Sequence, residues 1–368
     1  MKIIPAAVCV AALALAGQAC AQEKAQEKAQ EKGGLDQTGP YEPVAGWFKP
    51  GIDRWDQPVT SLTIDTPNRI LITVSDQRRT QPNAPMLSAD GKVLPERSTA
   101  STRAKAELPH LHQIMALDAD GKAVEDWTQW NDLFGLPHNI EVNPYDPDRH
   151  VWVVDLEHQI IKFTNDGKKQ VMKLGERGVT GTDRNHFNMP ASLAFMPDGS
   201  FYVTDGYVNA RIIKFDKNGK YVSEFGSKGS GPGQFDLVHS VTIDAQHRFY
   251  AADRRNSRIQ VFDRDGKFLD QWKNVGSPTR LIITKDQTLW MTEANYNRIA
   301  HFDLNGKLLT YWGVTGAAPG AFDNAHNFDV DESGNLFIAD AWNNRVQKFV
   351  PRKGADPARL IGQEFRLP

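Results

Sequence analysis

The chain has 368 residues, 40% hydrophobic and 24% charged. That is enough apolar material for a large core, and it excludes a disordered or fibrous chain. Forty-three Lys and Arg against 45 Asp and Glu give a formal net charge of −2. No block of basic charge stands out, which argues against nucleic acid as a partner.

In chain order, the first element is Lys2, an apolar run from Ile3 to Ala16, and Ala19-Cys20-Ala21. A basic start, a short apolar stretch and a small-x-small site predict a signal peptide over residues 1–21 and an exported protein, periplasmic or extracellular. The run is short for a membrane span. A lipid anchor on Cys20 is the second reading, because Gly17-Gln18-Ala19 matches the usual lead-in poorly. Cys9 and Cys20 are the two cysteines, so cleavage after Ala21 leaves neither a disulfide nor a thiolate ligand. Residues 22–40 read as a linker, low-complexity and charged over 22–32, with no apolar face to bury. Residues 41–368 read as one domain, expected to be a monomer.

That domain repeats itself. Short apolar runs end in Asp155, Asp205, Asp253, Glu293 and Asp340, spaced 50, 48, 40 and 47 residues apart, with a further copy from Ile70 to Asp76. Each of the five is followed by a second run, such as Arg211-Ile212-Ile213-Lys214-Phe215 or Arg258-Ile259-Gln260-Val261-Phe262, and four of these lead into a turn ending in Gly. Asn-Gly and Asp-Gly steps supply the positive φ of a tight hairpin. Four short antiparallel strands per repeat predict an all-β, six-bladed β-propeller. The last repeat lacks its fourth strand, and residues 43–49 are expected to supply it and close the ring.

Aligned on their innermost strands, the six repeats place Thr60, His138, Ala191, His239, Thr279 and His326 in one slot. Alternate blades of a six-fold ring stand about 120° apart, so the three histidines should converge on the axis. Three imidazoles with a fourth position open match a catalytic zinc site. The loops between second and third strands should lie on the same face, which brings Tyr207 and Arg254 towards the metal. A tyrosine beside a dication and an arginine has its pKa drawn down from ~10 and can act as a base. An arginine there can grip a carboxylate in a bidentate manner. The acids Asp205, Asp253 and Asp340 read as structural, holding loop amides. In the first repeat the corresponding loop runs from Gln77 to about Leu111 and carries Arg78, Arg79, Arg103 and Lys105. A loop of this length is expected to be either a functional lid or disordered, and it should overhang the metal face.

These segments resemble a known family. The repeats resemble NHL repeats. The stretch from Leu136 to Phe349, with LPHNIEV at 136–142, VTDGYVNARIIKF at 203–215, PGQFDLVHSVTI at 232–243 and IADAWNNRVQKF at 338–349, resembles peptidyl-α-hydroxyglycine α-amidating lyase. The resemblance implies cleavage of the C–N bond of a peptidyl-α-hydroxyglycine to an amide and glyoxylate. It implies zinc on His138, His239 and His326, a catalytic Tyr207, and arginines at Arg254 and at Arg78, with Arg79 the alternative. It further implies an axial calcium held by the backbone at Ile140 and by an aspartate after the third histidine, where this chain has Asn327. Cysteine pairs of the animal members are replaced here by Asn188, Val208, Tyr250 and Val261. The expected partner is a small molecule or peptide carrying a carboxylate. Two other classes stay open: a non-enzymatic exported propeller that binds a protein or glycan, and a metal-dependent hydrolase such as a lactonase.

Overall fold

The computed structural model describes residues 37–52, 55–75, 90–92 and 112–368. The expected signal peptide, most of the linker, and most of the long loop, including Arg78, Arg79, Arg103 and Lys105, lie outside the described residues. Six four-stranded antiparallel sheets make the fold. Blade 1 is Val59–Thr66, Arg69–Val74, Ile114–Leu117 and Ala123–Asp126, and blade 2 is Pro137–Val142, Val151–Asp155, Gln159–Phe163 and Gln170–Gly175. Blades 3 and 4 open with Ser192–Phe195 and Val238–Ile243, and blades 5 and 6 with Pro278–Ile283 and Ala325–Val330. Among the described residues, no helix is long and apolar enough to cross a membrane.

The strands read as near-continuous runs of Val, Ile and aromatics because each blade is covered on both faces. Second strands such as Val151–Asp155 and Phe201–Asp205 are buried throughout, whereas the outermost Tyr221–Phe225 is largely exposed. The core is therefore divided into wedges between blades. Trp152, Val154 and Ile160 of blade 2 meet Leu193, Phe201 and Val203 of blade 3. Tyr250, Ala252 and Ile259 of blade 4 meet Leu281, Leu289 and Met291 of blade 5. Turns between third and fourth strands follow the sequence signals. Gly266 sits at φ +82°, and a Cβ there would come within 2.6 Å of the Phe225 ring.

Asp205, Asp253 and Asp340, each at the end of a second strand, organise their loops, as expected. Asp205 accepts from the Asn188 amide, the Asn209 side chain and Arg211 Nε, and Asp253 and Asp340 repeat the pattern with Asn256 and Arg258 and with Asn343 and Arg345. The recurring Asp, Asn and Arg thus form one hydrogen-bonded unit.

The edge of the last sheet differs from the expectation. Its outermost strand is Tyr41–Pro43, pairing Tyr41 with Pro351 and Pro43 with Phe349, so residues 43–49 are not that strand. The chain turns at Ala45-Gly46, with Gly46 at φ +64°, and leaves the sheet. Trp47 and Phe48 then fill the wedge between blades 6 and 1, and Lys49 bridges to Lys122 of blade 1. Packing also reaches before residue 41: Thr38 is buried, its hydroxyl bonded to the Tyr41 carbonyl. On the face away from the histidines, the C-terminal tail crosses the disc, through bonds from Phe365 N to Ile283 O and from Leu367 N to Tyr145 Oη.

Candidate metal centre and active site

The slot residues lie where the innermost strands are irregular. Five of these six strands carry a bulge that spans the slot, between Val59 and Ser61, Pro137 and Asn139, Val238 and Val241, Pro278 and Leu281, and Ala325 and Asn327. A bulge re-aims a side chain out of the regular alternation. Here it turns the slot towards the axis, and His138, His239 and His326 meet there. Their ring centroids are 4.8–4.9 Å apart, and one ligand nitrogen from each lies within 4.8 Å of the others. All three are buried, at 3%, 4% and 6% exposure.

Each ring is oriented by the blade that follows it. Nδ1 of His138 donates to the Ala191 carbonyl at 2.8 Å, that of His239 to Thr279 at 3.0 Å, and that of His326 to Thr60 at 2.6 Å. The acceptors are the slot residues of the three blades without histidine. Hydroxyls of those blades reach the next histidine strand in turn: Thr60 Oγ1 to the Pro137 carbonyl at 3.1 Å, Thr204 Oγ1 to His239 O and Thr279 Oγ1 to Ala325 O, both at 3.4 Å. Six links, one per blade interface, run round the axis.

These bonds leave each Nε2 pointing inward. Burial holds the imidazoles neutral: His138 is lowered to about 4, chiefly by desolvation, and His239 and His326 stand well below the ordinary value for the same reason, with Arg254 acting in the same direction. His239 Nε2 is buried without a hydrogen-bond partner. Three neutral, pre-oriented nitrogens, one of them orphaned, fit a borderline dication such as zinc, with carbonyl acceptors as the outer shell.

Tyr207 and Arg254 both lie beside the histidines. The Tyr207 hydroxyl is 3.0 Å from His138 Nε2, with its ring edge-on to His138 and His239. Arg254 Nε is 3.3 Å from Ser277 Oγ, and its charge acts on Tyr207 and on all three histidines. In the metal-free protein burial pushes the Tyr207 phenol pKa up, and Arg254 and Arg255 only partly offset this. Arg78 and its alternative Arg79 lie outside the described residues.

The ring one residue deeper is Ser61, Asn139, Ser192, Ser240, Arg280 and Asn327. Asn327 lines the same small cavity as the histidines, and its Oδ1 is buried without a partner. Ile140 is fully buried in the wedge between blades 1 and 2. Sequence reasoning passed over Arg280, whose signal was a charge inside an innermost strand, Pro278-Thr279-Arg280-Leu281.

A family model described as a 6-bladed beta-propeller matches residues 179–275. NHL repeat-containing protein 3 of Homo sapiens is 30% identical over 279 residues, covering 68% of this chain and 76% of the relative. The chain belongs to the NHL-repeat proteins. Among relatives of this NHL propeller, peptidyl-alpha-hydroxyglycine alpha-amidating lyase 1 of Drosophila melanogaster is 31% identical over 277 residues, covering 67% of this chain and 50% of the relative. Peptidyl-glycine alpha-amidating monooxygenase B of Xenopus laevis is 30% identical over 256 residues, and covers 65% of this chain. The chain spans about 29% of the length of that monooxygenase. Among solved structures, the WD40 beta propeller domain of Doa1 superposes with a TM-score of 0.51 at 12% identity, over 83% of this chain and 96% of that one, a likeness of fold alone.

Proposed function

We propose that this NHL propeller is a zinc-dependent lyase that cleaves the C–N bond of a peptidyl-α-hydroxyglycine, or a similar α-hydroxyamide bearing a carboxylate, to an amide and glyoxylate. The observation that carries the reading is the placement of Tyr207 Oη 3.0 Å from His138 Nε2, inside a ring of three buried histidines. The lyase named among the relatives supports the reaction class. His138, His239 and His326 would hold the metal, which when bound supplies positive charge that polarises a substrate oxygen and draws down the neighbouring phenol. Arg254 pairs with the substrate carboxylate, its planar fork matching the two oxygens. Tyr207, as phenolate, accepts the proton of the substrate hydroxyl. As that oxygen closes to a carbonyl, the C–N bond breaks, and the amide nitrogen leaves with a proton returned by Tyr207. The C-terminal tail covers the opposite face, so substrate approaches from the side of the loops that carry Tyr207 and Arg254.

The test is metal analysis of the purified protein together with an assay for glyoxylate release from an α-hydroxyglycine peptide. Stoichiometric zinc and release are expected. Stoichiometric zinc without release would overturn the substrate assignment and leave the metal centre standing.

A further inference from the structure

The axial calcium implied by the family resemblance meets residues that do not fit it. Below the histidines, the ring of Ser61, Asn139, Ser192, Ser240, Arg280 and Asn327 contains no carboxylate and one guanidinium. Asn327 stands where the acid is expected, and calcium sites are built from carboxylates and carbonyls with no cation among them. Arg280 is buried, at 8% exposure, and lines the same cavity as the three histidines. Its Nη1 donates to Glu141 Oε1 at 2.6 Å, and Nη2 lies 3.8 Å from Glu364 Oε1 of the C-terminal tail.

Blades 2 and 5 stand opposite each other in a ring of six, so the Arg280–Glu141 pair spans the axis. The acids further down the channel are already engaged. Glu141 also accepts from Asn139 Nδ2 at 3.3 Å, and Asp329 accepts from Ile64 N at 2.9 Å and Val330 N at 2.8 Å. A guanidinium stays protonated at any working pH, so this charge is permanent.

We infer that the Arg280 guanidinium is the resident axial cation of this protein, taking the place of a calcium ion and tying blade 5 to blade 2 across the channel. Asn327 offers an amide oxygen, buried without a partner, and no carboxylate, so a calcium ion in its layer would meet no negative charge there to offset the guanidinium that lines the same cavity. The inference concerns the floor of the channel and stands apart from the lyase reading.

The experiment uses the full chain loaded with zinc and dialysed against calcium-free buffer. Elemental analysis should find no calcium, and millimolar calcium chloride should leave the melting temperature unchanged. Bound calcium at one per chain, or a melting temperature that rises with calcium, would overturn the inference. In the double variant Arg280→Met, Asn327→Asp, the guanidinium is gone and an acid is restored, so melting should become calcium-dependent. A folded double variant that ignores calcium would also count against Arg280 holding that position. If the double variant fails to fold, the wild-type calcium content still decides.

Discussion

Removing the imidazole of His138 would isolate what its burial does to stability. In the metal-free protein, desolvation and then Arg254 hold its pKa at about 4, against an ordinary 6.5. The unfolded chain takes up a proton near 6.5, while the folded chain refuses it until about 4. Stability from this group is therefore complete above 6.5 and is lost as pH falls through that window. The gap is about 2.5 pH units, and at ~1.4 kcal/mol for each the loss is about 3 kcal/mol. The wild-type curve alone will not show it. His239 and His326 act in the same direction, whereas Glu141, held up at about 7, and Asp329 and Asp340, held up at about 6, act in the opposite one. Comparison with His138→Asn cancels most of those contributions. Urea unfolding of both chelator-treated proteins, from about pH 7 to about pH 4, should show the stability difference moving towards the variant by about 3 kcal/mol. His239 and His326 lose a repulsive neighbour in the variant, which adds to the movement. Two stability curves that run parallel across the window would refute the burial argument.

At the proposed active site, Tyr207→Phe keeps the ring and should keep zinc content, while glyoxylate release falls by on the order of 100-fold or more. Arg254→Lys keeps the charge without the fork and should act mainly on KM. Near wild-type release from Tyr207→Phe would remove the tyrosine from the mechanism. His239→Ala should lower bound zinc by elemental analysis, while His247→Asn, at an exposed position with φ +59° that asparagine tolerates, should not. Tyr41→Ala removes a fully buried ring at the seam of blade 6 and the acceptor of the Ile361 amide, and should cost about 3 kcal/mol in thermal unfolding. Thr60→Val deletes the hydroxyl that reaches the Pro137 carbonyl, and should cost about 1 kcal/mol with a measurable loss of zinc affinity.

The blade count and the histidine slot were legible because both are periodic. Each repeat restates the same strand, turn and acid, so six-fold alignment alone brought His138, His239 and His326 to the axis. Tyr207 and Arg254 followed from strand direction. The seam was harder to read, since Val44 to Lys49 is apolar enough for a strand and only Gly46, at positive φ, turns the chain out of the sheet. Arg280 was overlooked because slot reasoning followed one register, and its meaning depends on Glu141, 139 residues away in sequence and opposite in the ring. The burial of Tyr207 was not legible for a related reason: charged neighbours such as Arg254 can be read from loops, whereas depth of burial is a property of the assembled ring.

The six links around the axis have a consequence for how such a site can change. The groups that aim the histidines are main-chain carbonyls at 60, 191 and 279, and every amino acid supplies one. A search for the acidic side chain that often backs a metal-bound imidazole would find nothing at these positions. It also means that the methyl group of Ala191, which lines the cavity, carries none of the six links, so a substitution there would leave His138 its acceptor. Thr60 and Thr279 lack that freedom, because their own hydroxyls carry links. Variation in what the cavity accepts is thus open at one blade and constrained at its two counterparts.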